Sequence, residues 1–284
     1  MQKHKNVLTF IGFDSEYEDS EIIVFGAPFD GTTSFRPGAR FAPSIMRNES
    51  YGLETYSPYL DKDLEDTKIC DVGDLELPLG NTEKTMMVIE EFSKDVLNSN
   101  KIPVMIGGEH LVSYPVIKSV YEKYENLHIL HFDAHTDLRD ELFGEKLSHA
   151  TVIRRAWDLV GDNRIHQFGI RSGEREEFKW AEKHTNLTKF TYEGLDETVT
   201  SIGDSPVYVT IDLDILDPSV MSGTGTPEPG GISFNDMMVI IEKLQRLNIV
   251  GADVVELSPH YDQSGASTAV ACKVLRELVL AISN

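Results

Sequence analysis

Asp133, His135 and Asp137 stand at alternate positions, and Asp212 and Asp214 repeat that spacing further along the chain. Each set follows an apolar run rich in β-branched and aromatic residues, 127–132 before the first and 207–211 before the second, of the kind that forms a buried strand. Alternate residues of a strand share a face, so the groups within each set project together. Five carboxylate and imidazole groups at strand ends are costly to bury without a compensating charge. A metal ion supplies it, and this many oxygen ligands suggests more than one ion. A single Asp at such a place could serve as a helix cap or turn former, but a cap needs one residue and two period-two sets exceed that need. A third segment joins them: the strand-like run 103–106 leads into Gly107-Gly108-Glu109-His110, a glycine turn with a histidine near a helix start. His110 is therefore a sixth candidate ligand. Two imidazoles and four carboxylates suit Mn²⁺ better than Zn²⁺ or Cu²⁺. Their four negative charges match two divalent ions, which can together acidify a shared water to hydroxide.

Such groups need a scaffold that brings distant strand ends together. Strand-like segments at 21–25, 103–106, 128–132, 165–170, 207–213 and 252–257 alternate with helical patterns at 42–48, 81–97, 113–123, 148–159, 176–183, 233–247 and 267–282. The helix at 233 opens on Ser233 with Asp236 three residues on, a capping box with Asp in place of Glu. This alternation predicts a parallel sheet covered by helices on both faces, with its ligand site outside the carboxyl ends of the strands. Both acidic sets fall there.

A chain of 284 residues can form one large α/β domain or two small ones, and it carries no linker, internal repeat or low-complexity tract. Its 40% hydrophobic and 26% charged residues are ordinary for a soluble enzyme, and no apolar stretch approaches the ~20 residues of a membrane span. The basic start, residues 1–10, is followed by too short an apolar stretch for a signal peptide, which predicts a cytoplasmic location. Cys70 and Cys272 lie far apart without metal-type spacing and read as reduced core or near-core residues. With 26 basic and 47 acidic residues, the net charge of −21 argues against binding a nucleic acid backbone. It would raise the local concentration of cationic ligands.

Gly107-Gly108-Glu109-His110, Phe132-Asp-Ala-His-Thr-Asp137, Asp212-Leu-Asp-Ile-Leu-Asp-Pro218 and Thr224-Gly-Thr-Pro-Glu-Pro-Gly-Gly231 resemble the motifs of the ureohydrolase family of arginases and agmatinases. The likeness covers most of the chain, from Gly26-Ala-Pro-Phe-Asp30 and Arg36-Pro-Gly-Ala-Arg40 to about Arg276. It implies a single ureohydrolase domain over residues 1–284, a three-layer α/β/α fold with a mainly parallel eight-stranded sheet, and a binuclear centre with two Mn²⁺ per chain. By the same resemblance His110, Asp133, Asp137 and Asp212 would hold one ion and His135, Asp133, Asp212 and Asp214 the other, with Asp133 and Asp212 bridging. A bridging hydroxide would attack the guanidinium carbon, and the metals would stabilise the tetrahedral intermediate. Asp137 would orient the hydroxide and pass its proton to the leaving amine, which departs poorly as an anion. His149, in Leu147-Ser-His-Ala-Thr151, resembles the family's proton-shuttle histidine. Glu256, in Val254-Val-Glu-Leu-Ser-Pro259, matches the glutamate that binds the planar guanidinium.

The loop after Asp137 lacks the asparagine and serine with which arginases bind an α-carboxylate, and resembles that of bacterial agmatinases. Agmatine keeps a distal ammonium, which Asp140, Glu141, Glu145 or Glu174 could meet. Glu174 follows Ile170-Arg-Ser-Gly173, near a position where relatives place an acidic substrate contact. Arg139 and Lys146 would instead suit an anionic tail. The expected reaction is hydrolysis of agmatine to urea and putrescine, feeding polyamine synthesis. Arginase, guanidinobutyrase and formiminoglutamase are the alternatives within the family. A catalytically silent metal-binding relative is disfavoured by the presence of all six ligand positions and the shuttle. A binuclear phosphatase would need further His or Asn ligands and a cationic phosphate clamp. The expected partner is a small cationic guanidino substrate, with no nucleic acid or membrane, in a homo-oligomer, since relatives commonly form trimers or hexamers.

Overall fold

The computed structural model describes residues 8–283; the basic opening at 1–7 lies outside the described residues. In chain order the strands are β1 (Ile22–Gly26), β2 (Tyr56–Ser57), β3 (Lys62–Asp63), β4 (Ile69–Asp74), β5 (Ile102–Ile106), β6 (His128–Phe132), β7 (Ile165–Ile170), β8 (Asn186–Lys189), β9 (Pro206–Asp212) and β10 (Asn248–Val255). The helices are α1 (Ala42–Glu49), α2 (Thr82–Asn98), α3 (Ser113–Lys123), α4 (Val152–Val160), α5 (Arg175–His184), α6 (Leu195–Ile202), α7 (Phe234–Leu244) and α8 (Ala266–Ile282). Eight strands form one sheet in the order β4-β1-β5-β10-β9-β6-β7-β8. Every pairing between neighbours in it is parallel, and β2 and β3 pair separately as a short hairpin.

The central strands are rich in apolar residues because both of their faces are covered. β9 is buried at every position, and its residues divide by parity: Val207, Val209 and Ile211 enter one core layer and Tyr208 the other. The first layer takes Met46 of α1, Leu195 of α6, Ile240 of α7 and Leu275 of α8. The second takes Ile89 of α2, Val116 of α3, Ile153 of α4 and Ala181 of α5. The result is the three-layer α/β/α arrangement. Ser233 caps α7 as its spacing predicts: its hydroxyl accepts from the Asp236 N–H at 3.2 Å, and the Asp236 carboxylate accepts from the Ser233 N–H at 2.9 Å.

β4 and β8, which the hydrophobic pattern does not reveal, are the two edges of the sheet. β4 contains Asp71, Gly73 and Asp74, and β8 reads Asn-Leu-Thr-Lys, compositions that edge strands tolerate because one side meets solvent. α6 also escapes the pattern, being eight residues long with Thr198, Thr200 and Ser201 as weak helix formers. Cys70 and Cys272 are buried thiols. Among the described residues no helix is long and apolar enough to cross a membrane.

Four neighbouring strands, β5, β10, β9 and β6, end side by side. His110 follows β5, Glu256 follows β10, Asp212 closes β9 and Asp133 follows β6. Sheet order alone therefore gathers residues far apart in sequence at the carboxyl edge, where open α/β sheets bind their ligands.

Candidate metal centre

All six residues singled out as ligands meet at that edge. His110 Nδ1 lies 3.1 Å from Asp133 Oδ2, 3.2 Å from Asp137 Oδ2 and 3.2 Å from Asp212 Oδ2. His110 is buried, and this nitrogen has no hydrogen-bond partner among the described residues. A lone pair facing three carboxylate oxygens inside a protein calls for a cation between them. Beside this group, His135 Nδ1 lies 3.0 Å from Asp214 Oδ2 and 3.5 Å from Asp133 Oδ1. Asp133 thus presents one oxygen to each cluster. Asp212 faces His110 with Oδ2, while its Oδ1 accepts from the Asp214 N–H at 2.9 Å.

The electrostatics point the same way. Burial, together with repulsion from Asp214 and Asp133, raises the Asp212 pKa well above the carboxylate range. Burial alone would lower His135, but the Asp214 charge and hydrogen bonding with Asp133 overcome it and raise the imidazole to about 12. Burial likewise raises Asp214, so Asp212 and Asp214 hold on to protons for want of another positive charge, and metal ions would replace those protons.

His110 and Asp133 are held in place from behind. Tyr208 and Thr210 each donate a hydroxyl proton to Asp253, both at 2.6 Å. With its proton committed, Thr210 Oγ1 accepts from His110 Nε2 at 2.9 Å, leaving Nδ1 as the free lone pair. Gln167 Nε2 donates to His131 Nδ1 at 3.0 Å, so His131 Nε2 donates to Asp133 Oδ2 at 2.7 Å. His131 therefore orients a carboxylate and has no nitrogen left for a metal. Sequence reading missed His131 and Thr210, although a signal was present: each stands one alternate position before its acidic set.

Asp137 and Glu256 both have left-handed backbone, at φ 51° and φ 66°, a conformation that non-glycine residues hold only under constraint. The Asp137 carbonyl accepts from the Ile153 and Arg154 N–H groups at the start of α4, and the Glu256 N–H donates to the Gly108 carbonyl. Glu256 is buried, and its carboxylate accepts from the His110 N–H at 2.7 Å. Burial, with the nearby Glu109 charge adding to it, pushes Glu256 up to about 8.

A cavity of about 400 Å³ opens over the cluster, lined by His110, His135, Asp137, Asp212 and Glu256 at its base and by His149, Arg139, Phe143 and Glu174 nearer its mouth. His149 Nε2 lies 3.1 Å from Ser34 Oγ. Burial lowers the His149 pKa against the pull of Asp137. Of the acidic residues expected to meet a distal ammonium, only Glu174 lines this cavity. Asp140 turns away to Arg155 at 2.8 Å, Asp140 and Glu141 line a separate neighbouring cavity, and Glu145 and Lys146 line neither. A tight turn at Phe143 and Gly144, both at positive φ, closes on the paired backbones of Leu142 and Glu145. Arg139 is 3.2 Å from Glu174 and 3.6 Å from Glu177, so its charge is already balanced.

The arginase family model matches residues 20–281. This chain belongs to the arginase family. Agmatinase of Bacillus subtilis is 47% identical over 275 residues, 95% of each chain. A solved structure of a candidate agmatinase from Clostridium difficile superposes with a TM-score of 0.93 at 56% identity, covering 94% of this chain and 99% of that one. Guanidinobutyrase of Pseudomonas aeruginosa is 31% identical, over 93% of this chain and 87% of its own length. The arginase-family chain is thus a ureohydrolase whose relatives include bacterial agmatinases and an enzyme named for a guanidino acid.

Proposed function

We propose that this chain is a binuclear manganese amidinohydrolase that converts agmatine to urea and putrescine. The observation that carries the reading is Glu256: a buried carboxylate beside the His/Asp cluster that accepts one backbone N–H and has no cationic partner among the described residues. A planar guanidinium fits that acceptor as a bidentate donor and would bring its carbon over the cluster. Likeness to agmatinases over 95% of the chain supports the same substrate.

His110, Asp133, Asp137 and Asp212 would hold one Mn²⁺ and His135, Asp133, Asp212 and Asp214 the second. Bound there, the ions supply Lewis acidity and a water acidic enough to ionise near neutral pH. Asp137 takes a proton from the attacking water and delivers it to the amine nitrogen as the C–N bond breaks, so that a neutral amine leaves. His149, kept neutral by burial, returns protons between this site and solvent. Glu256 fixes the guanidinium, and Glu174 at the mouth receives the distal ammonium in exchange for Arg139, which keeps Glu177 as its partner.

Two ions per chain are expected by metal analysis, both lost in Asp212→Ala, and retained occupancy in that variant would exclude the binuclear arrangement. The kcat/KM for agmatine should exceed that for arginine by at least ~100-fold, because the arginine carboxylate would lie against Glu174. A guanidino acid is the second reading, on the ground that Arg139 lines the cavity; its pairing with Glu174 and Glu177 counts against it. Faster turnover of 4-guanidinobutyrate than of agmatine would reverse that order.

A further inference from the structure

Glu109 is fully buried, has no basic side chain bonded to it among the described residues, and collects its donors from one short segment. The Thr32 N–H donates to Oε2 at 2.8 Å, the Thr33 hydroxyl to Oε2 at 3.1 Å, and the Thr32 hydroxyl to Oε1 in a short bond. The Glu109 N–H in turn donates to the Phe29 carbonyl at 2.8 Å. Gly108 lies so close to Phe29 that an added Cβ would fall 1.9 Å from that carbonyl oxygen. The glycine turn before His110 is therefore clamped onto residues 29–33.

That segment reaches His149 at two points. Thr32 Oγ1 accepts from the His149 N–H at 3.0 Å, and Ser34 Oγ lies 3.1 Å from His149 Nε2. A threonine hydroxyl has one proton. Because Glu109 takes it, Thr32 Oγ1 is left as an acceptor and must turn its lone pair to His149. Three donors from one segment fix the carboxyl group, and its Oε1 acceptor commits the Thr32 hydroxyl to one direction.

We propose that Glu109 is a positioning residue for His149, acting through Thr32 to fix the backbone of His149 and through the same segment to set Ser34 against its ring. The consequence for turnover rests on His149 acting as the proton shuttle; the pinning itself does not. It gives Glu109 a role separate from its neighbour His110.

The test uses the manganese-loaded enzyme with agmatine. Thr32→Val removes the hydroxyl at constant shape, and Glu109→Gln reverses one of its bonds. Each should lower kcat about tenfold while leaving KM within about twofold and metal content unchanged. Thr32→Ser, which keeps the hydroxyl, should recover most of that turnover. In a His149→Asn background neither change should lower kcat further, because the groups act as one unit. Amide hydrogen exchange at His149 should quicken in Thr32→Val but not in Thr32→Ser. Full additivity with His149→Asn, loss of metal in Glu109→Gln, or equal exchange in the two Thr32 variants would each overturn the proposal. Should Glu109→Gln fail to fold, the Thr32 pair decides alone. Wild-type turnover in His149→Asn would instead refute the shuttle reading, leaving exchange to judge the pinning.

Discussion

A hydroxyl that has given its proton to a carboxylate can only accept, and Thr210 uses that constraint on a candidate metal ligand. Asp253 takes the Thr210 proton at 2.6 Å, and Thr210 accepts from His110 Nε2 at 2.9 Å, which fixes the tautomer with its lone pair toward Asp133, Asp137 and Asp212. Such outer partners are commonly worth 10–100-fold in metal affinity. Thr210→Val, of nearly the same shape, should therefore weaken Mn²⁺ binding by about tenfold or more, measured by competition with a chelator. Undiminished affinity would mean that packing alone orients the imidazole. The ligand types were legible in the sequence because carboxylates at strand ends are rare without a reason. Thr210 offered only its place in the alternation, because threonine is an ordinary strand residue and its commitment to Asp253 exists only once β9 and β10 lie side by side.

At the scale of elements, legibility followed burial. β5, β6, β9 and β10 are buried on both faces and rich in apolar residues, and they are the strands that carry the site; β4 and β8 at the edges are more polar and hid among loop sequences. The opposite end of the sheet from the metal cluster holds a different feature. His128 opens β6, and its Nδ1 lies 3.1 Å from His166 Nε2 on β7. Burial, with the His128 charge adding to it, pulls His166 down to about 4. An unfolded chain takes up that proton near the ordinary value of 6.5. Between these values the unfolded state binds more protons, so stability should fall as the pH drops from about 6.5 towards 4. The full shift corresponds to about 3 kcal/mol, an upper figure since local rearrangement can relieve it. Denaturant melts across this range should show the slope in the wild type and a shallower one in His166→Gln. Parallel slopes would assign acid sensitivity to other groups.

Across the whole molecule, 47 acidic residues face 26 basic ones, and self-repulsion of that size opposes compaction. The fold places Asp133, Asp137, Asp212 and Asp214 together at one end of the sheet, where burial and mutual repulsion raise the Asp212 pKa. Ions that bind only the folded arrangement stabilise it by mass action, about 2.7 kcal/mol for each site at a hundredfold excess over its dissociation constant. For a chain of this size that is a shift of about 4–5 °C in Tm per site. Chelation of the manganese-loaded protein should therefore lower Tm by at least that much at neutral pH, and added Mn²⁺ should restore it. Asp212→Asn puts a neutral amide in place of the carboxyl that burial and repulsion keep protonated, and removes the proposed shared ligand with it. Its Tm should respond little to chelator, and its metal-free form should melt at or above the metal-free wild type. A wild-type Tm unmoved by chelation would mean that the protonated cluster is as stable as the metallated one, and the buried carboxylates would then need another explanation.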